Sequence, residues 1–292
     1  MTDIEVVRGE IQPWTDYTGY RKPAGGDALL AFLTDALPAK ASRALVAGPH
    51  SHELITLVAA RSEHVTVLIR SVSDATDLRA AFPGAEVTVI AGALDGLANG
   101  PYDLVVAADG LDRVLGYDSP ALNWPQRADL IHALAGPGAV VLIGVENEFG
   151  LAGLYDRRPV DARHGDDEWR PLHDDPERPT SPDQVLAALP GARLYASYDA
   201  AGETHTLLDA AAAALMRRRA GVLPGPGHAA VAAAPAETTA ALPGRAGARL
   251  MRILGEGVPG GAQLAQELLS QWLAAASELG GHVPPAALPA LL

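Results

Sequence analysis

Cysteine is absent from the 292-residue chain, which excludes disulfides, thiol catalysis and thiolate-held zinc. Basic residues are in short supply: 22 Lys+Arg stand against 35 Asp+Glu, a formal net charge of −13. That balance argues against duplex nucleic acid, whose binding rests on phosphate neutralisation, and against an anionic membrane surface. No apolar run approaches the length of a membrane span. The opening MTDIEVVRGE has an acidic start and no apolar signal core, so a soluble cytoplasmic protein is expected. Aromatic residues are few, with 3 Phe among them, yet 48% of the chain is hydrophobic. A core built from Ala, Val and Leu is expected, of the kind that helices make on a parallel sheet.

The pattern along the chain supports that architecture. Residues 1–25 are polar and mixed, with Trp14, Tyr17, Tyr20 and Arg21 close together. In GGDALLAFLTDAL, Asp27 is placed as an N-cap, and Leu29, Leu30, Phe32, Leu33 and Leu37 recur at helical spacing. Five short apolar runs then alternate with helical stretches. Strands are expected at 43–48, 64–71, 86–92, 102–110 and 139–147, and helices at 52–63, 73–83 and 125–138, the last ended by a Gly-Pro-Gly turn. Continuous apolar strands separated by helices predict an α/β fold with a doubly wound, mostly parallel sheet and right-handed crossovers. A polar stretch follows at 148–180, then a last α/β unit built from SPDQVLAALPG, ARLYASYD and ETHTLLD. Residues 222–247 form an Ala/Pro/Gly linker. Two helices are expected beyond it, the second carrying a Leu/Trp stripe at Leu264, Leu268, Leu269, Trp272 and Leu273. That stripe reads as a helix docking on the core or as a dimer contact. The division expected is 1–40 as an N-terminal segment and helix, 41–210 as the α/β domain, and 211–292 as C-terminal helical additions.

Ligands of an open parallel sheet bind outside the carboxyl ends of its strands, where the strand order reverses. The residues there are Gly48 and His50, Arg70 and Ser71, Leu94 and Asp95, Asp109 and Gly110, and Glu146 and Asn147. The strand YDLVVAADGLDRV ends at an acidic residue, and LAGPGAVVLIGVEN places a Pro-Gly turn before an apolar strand. Together with Glu146-Asn147-Glu148-Phe149-Gly150-Leu151, Ser181-Pro182-Asp183-Gln184 and Tyr195–Tyr198, these resemble, in their order, the class I S-adenosylmethionine-dependent methyltransferases of the bacterial natural-product and sugar tailoring type. The resemblance covers roughly residues 40 to 208.

The resemblance implies a Rossmann-like methyltransferase fold with S-adenosyl-L-methionine as cofactor. Gly48, His50, Arg70, Ser71, Leu94, Asp95, Asp109 and Gly110 would lie along that cofactor. It implies methyl transfer to an O or N atom of a small natural product, sugar or modified peptide. Asn147, Trp14, Tyr17 and Tyr20 would meet that acceptor, and Glu146 together with His164 or His173 would serve the chemistry. The family's first loop is altered: Val46 stands at the position of an acidic residue, and His50 and His52 at positions of glycines. Arg70 replaces the carboxylate that binds ribose, and Ala93 replaces an acid, with Asp95 two residues on. Each missing carboxylate removes a charge-assisted hydrogen bond of about 1.5–3 kcal/mol. Two further readings therefore stand beside catalysis. One is an inactive methyltransferase-like partner or scaffold that dimerises through the C-terminal helices. The other is an NADP-dependent oxidoreductase, suggested by Arg70 where a 2′-phosphate would sit, although GPHSHE lacks the Gly-x-Gly-x-x-Gly spacing.

Several residues carry a structural reading as well. His50 and His52 either orient a ligand or sit as loop residues, and Asp109 either contacts a ligand or caps the following turn. The mixed-charge stretch DARHGDDEWRPLH matches no standard ligand spacing, so no metal is expected. It reads as a solvated loop or as an acceptor lid carrying His164 and His173. Arg217, Arg218 and Arg219 suit the carboxyl end of their helix.

Overall fold

The computed structural model describes residues 4–11, 14–18, 22–116, 118–146, 175, 177–179, 182–200, 203–209 and 228–229. The chain divides into two compact units. The first comprises Met1–Val145, Pro159–Pro179 and Ala200–His205, and the second Glu146–Arg158, Thr180–Asp199 and Thr206–Leu292.

The first unit is built on β1 (Glu5–Val6), β2 (Ala41–Ala47), β3 (Ser62–Ile69), β4 (Val87–Ala91), β5 (Tyr102–Ala107) and β6 (Ala135–Ile143). They form one six-stranded sheet in the order β1-β4-β3-β2-β5-β6, with every neighbouring pair parallel. The helices are α1 (Asp27–Ala36), α2 (His52–Ala60), α3 (Val72–Ala81) and α4 (Trp124–Leu134). The fold is therefore the expected doubly wound, mostly parallel α/β sheet. Strand order runs outward from β2 in both directions, which puts the switch point between β2 and β5.

The central strands are apolar throughout because both of their faces are covered. Ala44, Leu45, Val46 and Ala47 of β2 and Leu104, Val105, Val106 and Ala107 of β5 are fully buried. Helix α2 supplies Leu54, Ile55 and Val58 to the core. In α4 the buried residues Trp124, Arg127, Ala128, Ile131 and Leu134 follow one helical stripe. Asn123 and Gln126 start that helix with a reciprocal capping box.

Three local features differ from expectation. Gly26, not Asp27, is the N-cap of α1, and Asp27 is its first helical residue. The Gly-Pro-Gly turn is not a helix end. Helix α4 stops at Leu134, and Ala135 already pairs with Tyr102; the ladder resumes at Leu104 with Val140, so residues 136–139 bulge out of β6. Finally, the N-terminal segment contributes a sheet strand, β1. Further on, a helix at Pro182–Ala188 precedes strands Tyr195–Ala200 and Glu203–Asp209, which pair in a sheet of their own. The C-terminal helices lie outside the described residues.

Candidate functional site

At the end of β2 the chain turns through Gly48, whose φ of +91° suits glycine, and enters α2 with Ser51 as N-cap. His50 within this turn is fully buried. Its Nδ1 lies 2.9 Å from the Gly48 carbonyl, and its Nε2 accepts the Ala108 N–H at 3.0 Å. The two bonds together assign the proton to Nδ1. Burial pushes the His50 pKa below the ordinary imidazole value. The side chain is thus a neutral tie between the ends of β2 and β5, across the switch point.

At the end of β3, Arg70 is 2% exposed and holds the Asp16 carboxylate in a bidentate pair, Nε to Oδ2 at 2.8 Å and Nη2 to Oδ1 at 2.7 Å. The Trp14 ring lies beside the same guanidinium, 5.8 Å from Cζ to the ring centroid, and its indole N–H donates to Asp16 Oδ1 at 3.2 Å. Ser71 Oγ donates to the Trp14 carbonyl at 2.6 Å and, as N-cap of α3, accepts the Asp74 N–H. Asp74 in turn accepts the Asp16 N–H at 2.6 Å. Its pKa is raised, first by burial and further by the neighbouring Asp16.

The ends of β4 and β5 are closed in the same manner. Ala93 N–H donates to the Arg8 carbonyl at 2.9 Å, and Asp95 pairs with the Arg8 guanidinium while accepting from Ser119 Oγ at 2.6 Å. Leu94 is buried and donates its N–H to the Val114 carbonyl at 2.7 Å. Asp109 forms a second buried bidentate pair, with Arg113, at 2.8 and 2.6 Å. Arg113 also reaches the carbonyls of Asp16 at 3.0 Å and Lys22 at 2.9 Å. Gly110 follows in a left-handed turn and is buried.

Most of these contacts come from residues 5–11, 14–18 and 22–24, which lie as a strap over the carboxyl ends of the sheet. It begins as β1 beside β4, crosses β3 where Ile11 bridges Ser71, and reaches β2 where Ala24 bridges His50. Tyr17 donates its hydroxyl to the His50 carbonyl at 2.7 Å, and burial raises its pKa well above the usual phenol range. Beside the strap, at the amino-terminal ends of α1 and α2, lies an open cavity of about 510 Å³ lined by Tyr17, Lys22, Gly26, Asp27, Ser51 and His52, among others.

The structure therefore brings together Trp14, Tyr17, Gly48, His50, Arg70, Ser71, Leu94, Asp95, Asp109 and Gly110, and most of them are buried under the chain's own N-terminal segment. Glu146 is described by its backbone, just past the end of β6. Tyr20, Asn147, His164 and His173 lie outside the described residues. Sequence reasoning passed over Asp16 and Arg113, the two residues that complete the ion pairs. The spacing of Arg113 four residues after Asp109 was the one local signal for either. A neighbouring buried network was equally hidden: Arg127 reaches Asp112 at 2.9 Å and Asp175 at 3.1 Å, and Arg178 reaches Asp112 at 2.8 Å. Among the described residues no cluster of His, Asp and Glu has the makings of a metal site, and no helix is long and apolar enough to cross a membrane.

An adenosyl cofactor at this switch point needs open approach to the backbone after β2 and an acceptor for its ribose hydroxyls after β3. Here the first position holds the buried His50 side chain, and the second a guanidinium that is donor-only and already paired. The residues present do not fit that cofactor.

Residues 156–292 match a family model described as a family of unknown function (DUF5691), and no curated protein matches the chain. Several solved structures similar to it are methyltransferases. They include the N-methyltransferase NodS of Bradyrhizobium japonicum with S-adenosyl-L-homocysteine, at 16% identity over 41% of this chain and 59% of that one, TM-score 0.33. A S-adenosylmethionine-dependent methyltransferase of Geobacter sulfurreducens with the same ligand gives 22% identity over 40% and 47%, TM-score 0.32. The CcbJ methyltransferase of Streptomyces caelestis gives 18% over 49% and 56%, TM-score 0.33. The chain thus spans less than two thirds of the length of each of these three. At such identities and TM-scores, the α/β fold rests on the strand order itself.

Proposed function

We propose that this chain is a methyltransferase-like protein that works by binding a partner rather than by methyl transfer. One observation carries this reading: the crevice at the β2/β5 switch point is filled by protein. His50 is fully buried across it, and Arg70, 2% exposed, is spent on Asp16 of the strap. A cofactor would have to displace a buried ion pair and then meet a guanidinium in place of a ribose acceptor. In this reading the Leu/Trp-bearing sequence at 264–273 supplies the contact to the partner or to a second copy, within a biosynthetic complex.

The experiment is calorimetric titration of the full chain with S-adenosylmethionine, S-adenosylhomocysteine and NADPH. No saturable heat up to millimolar ligand is expected from any of them. Micromolar binding of either adenosyl ligand would overturn the reading.

One observation favours a second reading, methyl transfer to an O or N atom of a small natural product, sugar or modified peptide. Gly48 makes a left-handed turn directly into the amino end of α2 at the switch point, where a backbone can approach an adenosyl ligand. That reading requires the strap to leave, and it leaves acceptor chemistry to Glu146, Asn147, His164 and His173. The same titration decides between the two.

A further inference from the structure

The strap is held in the manner of a bound peptide. Its backbone bonds alternate with those of the strand ends: Val7 N–H to the Ala91 carbonyl at 2.9 Å, Ala93 N–H to the Arg8 carbonyl at 2.9 Å, Ile11 N–H to the Arg70 carbonyl at 2.8 Å, and Val72 N–H to the Ile11 carbonyl at 3.3 Å. This is the bonding of strand addition, in which main-chain bonds hold a peptide and side chains select it. The selecting side chains are disposed along its length. Arg8 pairs with Asp95 at one end, and Asp16 pairs with Arg70 at the other. The two pairs have opposite sense, so a reversed peptide would set like charges together. Gly9 passes so close to the β4 end that an added Cβ would stand 2.3 Å from the Ala93 Cβ. Ile11 is buried, and Trp14 lies beside the Arg70 guanidinium.

To the six-stranded sheet this segment contributes the two-residue edge strand β1. The other five strands follow in the order β4-β3-β2-β5-β6, and the strap joins the unit through Gly25-Gly26, where Gly26 is in a left-handed conformation.

We infer that the carboxyl-end crevice is a peptide-binding groove whose resident is the chain's own N-terminal segment, and that a partner peptide of the pattern Arg-Gly-x-Ile-x-x-Trp-x-Asp-Tyr takes the same place when the strap lifts. This rests on the reading of a crevice given to protein rather than to cofactor, and it adds the class of partner and the basis of its recognition. The tethered strap competes at an effective concentration near millimolar, so the wild-type groove is closed to a free peptide at micromolar concentration.

The test uses the full chain and a fluorescent peptide spanning residues 4–18, with fluorescence anisotropy as the readout. The Arg8→Ala/Asp16→Ala chain, whose strap has lost both end anchors, is expected to bind the peptide saturably and about tenfold or more tighter than the wild-type chain. A peptide with Asn in place of Asp16 is expected to lose about tenfold or more on the same variant, since it leaves Arg70 buried without its carboxylate. Absence of binding to a variant with an intact thermal transition overturns the proposal, as does binding insensitive to the Asn peptide. A wild-type dimer that dissociates in the variant assigns the groove to a second copy's strap instead, which also overturns it. If the variant does not fold, hydrogen exchange of the wild-type chain decides. The Val7 and Ile11 amides must exchange through an opening that leaves the Val67 and Val105 amides protected; exchange in step with those core amides rejects a liftable strap. Adenosyl binding by the variant would strike the proposed function alone, because the anisotropy result is read independently of it.

Discussion

The two ends of the same sheet treat charge in opposite ways. At the amino ends, Asp103 accepts the backbone N–H groups of Ser42 and Arg43 at 3.0 Å each. Arg43 reaches the carbonyls of Asn99, Gly100 and Pro101 and lies over the Tyr102 ring. These ties reach water and trim chain ends. At the carboxyl ends two ion pairs are buried, Arg70 with Asp16 and Arg113 with Asp109. Burying an ion pair costs desolvation that its attraction barely repays, and apolar packing would stabilise as well. What such pairs supply is register: they fix where the strap lies and which way it runs. Charge is therefore solvated trim at one end of this sheet and an instrument of recognition at the other.

The contrast breaks if truncation costs the same at both ends. Arg70→Ala leaves the Asp16 carboxylate buried without its guanidinium, and a loss of about 3–5 kcal/mol is expected in urea or thermal denaturation. Arg43→Ala, at the amino end, is expected to cost about 1 kcal/mol or less. Equal losses would mean that the Arg70 pair is as solvated as Arg43.

His50→Leu is the next largest test. It leaves the Ala108 N–H and the Gly48 carbonyl, now bonded to the imidazole, without partners in a buried place. A loss of about 1–3 kcal/mol is expected from the unmet bonds. A neutral outcome would show that water replaces the imidazole there, and that the crevice is wetter than the burial of His50 implies.

Much of this fold was legible in the sequence, and most of the site was not. Runs such as RALVAG and YDLVVAADG give themselves away because strands covered on both faces are apolar without alternation. The stripe of α4 is legible because burial on one face imposes its own period. Glu5–Val6 sends no such signal: two exposed residues carry no periodicity. The Gly-Pro-Gly segment misleads because a helix end and a bulge ask for the same residues. The site escapes for another reason. Asp16 and Arg70 are 54 residues apart in sequence, and Arg113 meets the Lys22 carbonyl across 91. Nothing local marks such pairs. The sequence resemblance places Arg70 where methyltransferases carry a carboxylate; the missing information was that this chain supplies a carboxylate to it from elsewhere, Asp16.

A pH titration of stability sharpens the contrast with the smallest effect. His50 is neutral in the folded chain because burial opposes its charged form, whereas in the unfolded chain it titrates near the ordinary value of about 6.5. The sign follows from proton counting. Below that value the unfolded state binds a proton that the folded state refuses, so stability falls as pH falls. Above it neither state holds the proton, and the His50 contribution is complete and flat. Asp74 works the other way at lower pH: its raised folded pKa favours the folded state when it is protonated, and that contribution is lost as pH rises through the folded value. Between pH 7.5 and 5.5, roughly the window set by the imidazole, the wild-type chain should therefore lose stability more steeply than His50→Gln. Parallel slopes would mean that the His50 imidazole takes up its proton in place, and then the tie between β2 and β5 is open to solvent after all.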